Sequence, residues 1–489
     1  MIMDMMAAEI FENIEIAKDV KSFNEHNPVM TQRFGADPYA LVYDGRVYLY
    51  MTGDAPTYDK NGEIEENTYS NINTINVISS DDLVNWTDHG TIYAAGDKGA
   101  AKWGANSWAP AAAYKNIDGK DKFFLYFANN GNGIAVLTAD SPVGPFTDPL
   151  DAPLISRNTP TCAEVTWLFD PAVLMDDDGN SYIYFGGGVP SPDKAANPGT
   201  ARVAKLSDDM ISLDGDPKVI ADVDYLFEDS GINRVGDSYY YSYCSNFSMT
   251  PEAEKELGFS EGEIVTMVSK DPMGPFEMYK PVLKNPGYFF GLGGNNHHCM
   301  FEFKGQWYIA YHTRILEEAM GITSGYRSTS IDQLNLDENG GPCKSEATRQ
   351  GVKQVKPLNP YNEVMAVTMA NSSGVTTRQN GPDAVRYGSG EMILTGIQDG
   401  SWTCVEGAQF EYGKPLGLEV NVRGRGNGAI KVSLDSVDGE TIAYIPVKAP
   451  GRDFTTIEVP VECEFSGKHD VYFTFMGDNY ELLSWRFLK

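Results

Sequence analysis

Basic residues are scarce in this sequence. Its 489 residues hold 38 Lys and Arg against 68 Asp and Glu, a net charge of −30. Such a surface repels phosphate, which excludes nucleic acid and anionic membranes as partners. Cysteine is sparse as well: Cys162, Cys244, Cys299, Cys343, Cys404 and Cys463 lie far apart, with no C-x-x-C pair and no zinc-like spacing. They read as reduced, mostly buried thiols. No stretch approaches the roughly 18 apolar residues of a membrane span. The N-terminal run MIMDMMAAEIFENIEIAKDV has no basic start, and Asp4, Glu9, Glu12 and Glu15 interrupt its apolar residues, so no leader and a cytoplasmic location are expected. Helical periodicity is rare; PEAEKELGF (251–259) is predicted to form a short surface helix. What the chain does have is bulk for a core, 42% hydrophobic and 12% aromatic residues, and a length beyond one ordinary domain.

It also has repetition. Five times an acidic or polar opening leads into an apolar run, a Gly- or Asp-containing turn and an aromatic-rich run: residues 36–54, 108–128, 169–188, 227–244 and 297–312. Alternating β-branched and aromatic residues around Asp-Gly, Gly-Asp or Lys-Gly predict hairpins. The segments between add turn signals, among them SSDDLVNWTDHG (79–90) and the near-identical DSPVGPF (140–146) and KDPMGPF (270–276). Small antiparallel sheets repeated at this spacing predict a five-bladed β-propeller, with an array of β-sandwiches as the competing reading. In a propeller the first strand of each blade lines the central channel, so the opening residues converge.

Those opening residues include Asp37, Asp170, Glu228 and His297/His298. Carboxylates in one small cavity with separated pKa values are the machinery of glycoside hydrolysis, one ionised to activate water and one protonated to release the leaving oxygen. The bland alternative is real, because Asp-Pro is commonly a turn device. It does not account for Glu228, which no proline follows.

The runs ADPYALVYDGRVYLY, TWLFDPAVLMDDDGNSYIYFGGG and YLFEDSGINRVGDSYYYSYC, with Trp-Ala-Pro at 108–110, resemble glycoside hydrolase family 43 over about residues 27–340. The resemblance implies a five-bladed propeller with Asp37 as general base, Asp170 as pKa modulator and Glu228 as general acid, inverting configuration. It also implies a histidine near a central ion, usually calcium; His297 is preferred over His298, with water completing the oxygen shell that calcium requires. A histidine satisfied in the core is the alternative. Arg314, in Tyr-His-Thr-Arg, resembles the arginine brought to the sugar. Trp167, Phe34 and Trp108 are candidate pocket walls, as is Trp103, although aromatics beside strands are more often core. Within the family the sequence looks most like the α-L-arabinofuranosidases that trim arabinoxylan, exo-acting on oligosaccharides, with β-xylosidase as alternative and a non-catalytic, sugar-binding propeller as the rival outside enzymes. A monomer is expected.

The pattern changes after residue 346. Residues 347–360, with Lys353, Lys356, Pro357 and Pro360, read as a linker, and 361–489 as a β-sandwich of short strands. This last part resembles a family 6 carbohydrate-binding module of jelly-roll type. Three positions depart from that family's pattern. Met365-Ala366-Val367 replaces an acidic run that feeds a structural calcium, Gly451-Arg452-Asp453 replaces a Gly-Gly-Trp sugar platform, and Ser484 replaces an Asp before Trp485. The expectation is a module that mainly packs on the propeller or completes its active-site rim, and binds polysaccharide weakly or not at all.

Overall fold

A computed structural model describes residues 11, 13–381, 391–411 and 413–489. Asp4, Glu9 and Glu12, used above in reading the N-terminus, lie outside these residues. The regular structure of the described chain is almost wholly strand. The five repeats become five antiparallel sheets, each beginning with one of the hairpins. Sheet one holds β1 (Ala36–Tyr43), β2 (Arg46–Thr52), β3 (Thr74–Ser80) and β4 (Trp86–Tyr93); sheet two holds β5 (Trp108–Ile117), β6 (Lys120–Ala128), β7 (Gly133–Ala139) and β8 (Ile155–Ser156). Sheet three holds β9 (Ala172–Met175), β10 (Ser181–Phe185), β11 (Arg202–Leu206) and β12 (Lys218–Val219). Sheet four holds β13 (Leu226–Val235), β14 (Ser238–Ser245), β15 (Ile264–Ser269) and β16 (Glu277–Leu283). Sheet five holds β17 (His298–Phe303), β18 (Gln306–Thr313) and β19 (Ser328–Leu334).

The first strands touch in cyclic order, β1 with β5, β5 with β9, β9 with β13, β13 with β17 and β17 with β1. Chain ahead of β1 runs beside β19, where Val29 N donates to Thr329 O at 2.9 Å and Gly35 N to Arg327 O at 3.0 Å. The last sheet is thus bordered by residues that lead into the first. Apolar clusters fill the spaces between neighbouring sheets, such as Leu41, Tyr50, Phe123 and Leu137 between the first two. Tyrosines add a repeated polar tie: Tyr50 of sheet one donates to Pro142 O of sheet two at 2.5 Å, and Tyr184 of sheet three donates to Pro272 O of sheet four. Both acceptors lie in the near-identical turns DSPVGPF and KDPMGPF.

The predicted surface helix is present as α1 (Pro251–Leu257), where Thr250 Oγ1 accepts from Ala253 N at 3.2 Å and Gly258 ends the helix at φ 78°. Among the described residues no helix is long and apolar enough to cross a membrane.

The described residues between 364 and 488 form two further sheets over one apolar core that includes Leu418, Ile430, Phe473 and Trp485. They are fastened to sheet one. Thr368–Met369 pairs with Trp86–Thr87 of β4, Asn85 exchanges two 2.8 Å hydrogen bonds with the Glu406 backbone, and Thr377 Oγ1 donates to Asp88 at 2.6 Å. The N-terminal segment joins in: Ala17 lies against Trp402, whose Nε1 donates to Ala17 O at 2.9 Å.

Candidate active site

The start of a sheet is where its backbone departs from ideal pleating. Asp37, Ala109, Asp170 and Asp229 have φ of 47°, 41°, 50° and 71°. A left-handed conformation costs a non-glycine residue about 1–3 kcal/mol, and such strain persists where the surrounding structure dictates it. The ladders slip at the same places, between Ala36 and Tyr39, Trp108 and Ala111, and across Leu226, Glu228 and Gly231. These bulges re-aim side chains away from the sheet plane. They turn Asp37 and Glu228 into one cavity of about 780 Å³, shared with His297, Arg327 and Asp170, which stands just ahead of β9.

The carboxylates there are held in opposite states. Asp37 Oδ1 accepts from Arg327 Nη1 at 2.8 Å, and Oδ2 accepts from Thr52 Oγ1 at 2.7 Å. Its backbone N donates to His312 Nδ1 at 3.2 Å. Burial alone would raise its pKa, but Arg327, His297 and His312 together hold it well below the usual carboxylate range. Arg327 is itself anchored: Nε and Nη2 each reach an oxygen of buried Asp54 at 2.9 Å, and its guanidinium lies 4.9 Å from the Tyr69 ring centre.

Glu228 is the counterpart. It is buried, its Oε1 has no hydrogen-bond partner, and burial with the Asp37 and Asp229 charges pushes its pKa up to about 8, against an opposing bond from Asn295. Asp170 is raised too, first by burial and then by Glu228, Asp37 and Asp229, although Asp229 N donates to its Oδ2 at 2.9 Å. An ionised carboxylate and a protonated one in the same cavity can activate water and protonate a leaving oxygen.

A model of glycosyl hydrolases family 43 matches residues 25–342, and one of carbohydrate binding module family 6 matches 365–489. The chain belongs to glycosyl hydrolase family 43. It is 46% identical over 477 residues to an arabinoxylan arabinofuranohydrolase of Paenibacillus polymyxa, covering 94% of this chain and 74% of that protein. It is also 46% identical to an arabinoxylan arabinofuranohydrolase of Bacillus subtilis, covering 94% and 90%. A crystal structure of a family 43 arabinoxylan arabinofuranohydrolase from Bacillus subtilis, in complex with cellotetraose, superposes with a TM-score of 0.91 at 44% identity, covering 96% of this chain and 99% of that one.

In this family 43 chain the structure brings together Asp37, Asp170, Glu228, His297, Trp108 and Trp167 around the cavity. It leaves out three residues expected there. Phe34 is buried against Tyr326, ring centres 5.4 Å apart, in a separate apolar cluster. Arg314 is bound to Glu317 and to Gly293 O, in a small cleft beyond Tyr69 and Arg327. Trp103 donates to Asp148 at 2.8 Å, at the edge of the core between sheets one and two. The arginine that reaches the carboxylates in the cavity is Arg327, thirteen residues further on in Gly-Tyr-Arg-Ser. The chemistry expected of Arg314 had its signal there, at the start of β19 rather than the end of β18.

Asp229 was also missed, although it stands inside Phe-Glu-Asp-Ser. By backbone conformation it, and not Glu228, is the counterpart of Asp37 and Asp170; Glu228 sits one residue earlier on a doubly bulged strand. Asp229 Oδ2 accepts from His298 N at 3.0 Å and pairs with His298 Nδ1, while His298 Nε2 meets Ser242 Oγ at 2.8 Å. His298 is therefore consumed by a buried network, and burial lowers its pKa to about 3. His297 faces the cavity. Its Nδ1 is 3.6 Å from Asp37 and 3.8 Å from Asp170, and its Nε2 is 3.0 Å from Asp229 Oδ1 but off the line of a hydrogen bond. Among the described residues no three His, Cys, Asp or Glu are grouped to hold a metal ion.

Proposed function

We propose that the chain is an inverting, exo-acting α-L-arabinofuranosidase that removes arabinose side chains from arabinoxylan- or arabinan-derived oligosaccharides. The observation that carries this reading is the pairing of Asp37, kept ionised by Arg327, with Glu228, kept protonated by burial, in one cavity. The named function of the two relatives at 46% identity supports the choice of sugar.

In this mechanism Asp37 takes a proton from water as the oxygen attacks the anomeric carbon. Glu228 gives its proton to the glycosidic oxygen as that bond breaks, so the product sugar has inverted configuration. Asp37 ends protonated and Glu228 ionised, and solvent exchange restores both. Asp170, whose Oδ2 accepts from Asp229 N beside Glu228, is the acid's modulator in this reading. Trp108 and Trp167 wall the sugar site. The family's inverting members imply an acid–base separation of roughly 6.5–9.5 Å, room for one water.

The five sheets are read as the blades of a five-bladed propeller spanning residues 1–346, and the last two sheets as a β-sandwich over 361–489, with 347–360 as linker. The cyclic contacts of the first strands and the shared C-terminal core support this division. A calcium ion in the channel belongs to the same proposal. The donor set fits it only sparingly, with His297 as its protein ligand and water supplying the hard oxygen shell that calcium prefers; it would add positive charge near the carboxylates. Nitrophenyl α-L-arabinofuranoside and β-D-xyloside assayed side by side, with the product anomer read by proton NMR, test the reading. Preferred xyloside cleavage, a retained anomer or no turnover of either would overturn it.

A further inference from the structure

Sheet one and the C-terminal module enclose a cleft separate from the catalytic cavity, with Asp54, which holds Arg327, on its wall. It has two adjoining parts of about 520 and 580 Å³, both walled by Arg33, Thr91 and Tyr93 of the sheet-one side. Each part lies within the roughly 300–1,000 Å³ of small-ligand sites. Gln379 of the module lines the first part; it is 91% buried, since its exposure is 9%, and neither its side-chain oxygen nor its nitrogen has a hydrogen-bond partner. Arg33 Nε is likewise buried without an acceptor. Tyr58, 60% exposed, stands on the second part.

Unpaired buried polar groups are costly unless something else pairs with them. The charges at this cleft are already matched. Arg33 is bound to buried Asp88, which also accepts from Thr377 Oγ1 and Gly90 N, and Arg378 is bound to Glu481. What is left free is a neutral amide, one N–H donor and tyrosine faces, a set suited to hydroxyls and C–H faces rather than to an anion. We propose that this junction is a second, non-catalytic saccharide site that takes the neutral pentopyranose main chain of the polymer whose side chains the cavity trims. The choice of polymer rests on the arabinofuranosidase reading; the cleft itself does not. The module contributes one wall of the site and no binding face of its own.

Gln379→Leu removes both polar atoms at nearly constant volume. The probe is soluble debranched xylan in affinity gel electrophoresis, which offers no arabinose to the cavity. The wild-type chain is expected to be retarded, and the variant to bind about five- to a hundredfold more weakly, the loss of two hydrogen bonds, with KM on arabinoxylan rising in step. Turnover of nitrophenyl arabinofuranoside stays unchanged. The melting temperature holds or rises, because no satisfied bond is lost; a purely structural glutamine would lower it. Equal retardation of both proteins, no retardation of the wild type, or a fall in melting temperature without loss of binding overturns the proposal. Retardation that depends on Gln379 in a protein without arabinofuranoside turnover would instead sink the proposed function and leave this site standing.

Discussion

The cavity among the five sheets and the polar positions of the C-terminal module use the same kinds of side chain to opposite ends. In the cavity, carboxylates are buried with too few partners: Glu228 Oε1 and Asp229 Oδ1 have none, and Asp37, Asp170 and Asp229 sit on strained backbone. Along the module's strand Tyr480–Leu488, by contrast, the polar groups are matched. Ser484 Oγ donates to Glu363 at 2.7 Å and accepts from Asn421 Nδ2 at 2.8 Å, and Glu481 takes both Arg378 and Arg423. Frustration marks the place where a reacting group is to be stabilised, and satisfaction marks a region that has become structural.

The largest effect should come from relieving the cavity. Glu228→Gln removes the proton donor, and kcat on substrates with poor leaving groups should fall about 10²- to 10⁴-fold, with the fold intact by circular dichroism. Undiminished turnover would refute the assignment. The same residue sets a stability signature. A glutamate with a folded pKa of about 8 against an ordinary value of 4.5 binds a proton more tightly when folded, so its contribution is present at low pH and is lost as pH rises through that window. The wild-type melting temperature should therefore fall more steeply between pH 5 and 9 than that of Glu228→Gln. Parallel curves would show that the carboxyl is not held protonated.

The next effect tests the support of the base. Arg327→Lys keeps the charge but cannot grip Asp54 with two nitrogens while reaching Asp37. A loss of about 10²-fold in kcat/KM is expected, of the size seen when one preorganised donor is removed. Arg314→Lys should cost far less. If the two losses were equal, the arginine outside the cavity would have to be readmitted to the site.

How far these residues could be read beforehand follows from the distance over which each is determined. The five hairpins are local: alternation and turn residues within about twenty positions specify them, so β1–β2, β5–β6 and β13–β14 lie where the repeats place them. Asp37, Asp170 and Glu228 carry the family pattern in their immediate neighbours. Arg327 and Asp54 are partners across 273 residues, and nothing near either one announces the other. Asp229 was hidden by a bulge, because a register slip changes which residue faces the channel without changing the sequence around it. The binding of the N-terminal segment to Trp402 was likewise invisible, since its charged residues Glu15 and Lys18 resemble a solvated arm.

A smaller effect, on stability, probes why the module is satisfied. Met365 and Ser484 depart from the family pattern at two separate points of the sequence, yet they are cross-strand partners in the ladder. Acids at these two positions would face each other across the ladder, the arrangement a shared cation would need. Ser484→Asp alone would bury a carboxylate beside Glu363 and should cost about 1–3 kcal/mol, read as a lower melting temperature. Met365→Glu with Ser484→Asp should regain stability only when calcium is added. Recovery without calcium would mean that the pair needs no shared cation.

The smallest effect restores binding rather than removing it. Asp453 is exposed on the strand Gly451–Pro460, beside Phe454, whose ring lies 4.5 Å from the Arg423 guanidinium. It occupies the place of the platform tryptophan, and nothing in the surrounding sheet has closed over it. Asp453→Trp should therefore give the module a flat face and a modest gain in retention on insoluble arabinoxylan, with activity on small substrates unchanged. The gain should persist in the Gln379→Leu background, because the two surfaces lie on different strands and Glu481, which holds Arg378 of one and Arg423 of the other, is untouched by either substitution. If it vanished there, the module's rim and the junction cleft would be one continuous site, and the contrast between a frustrated catalytic cavity and a quiescent module would have to be redrawn around their shared edge.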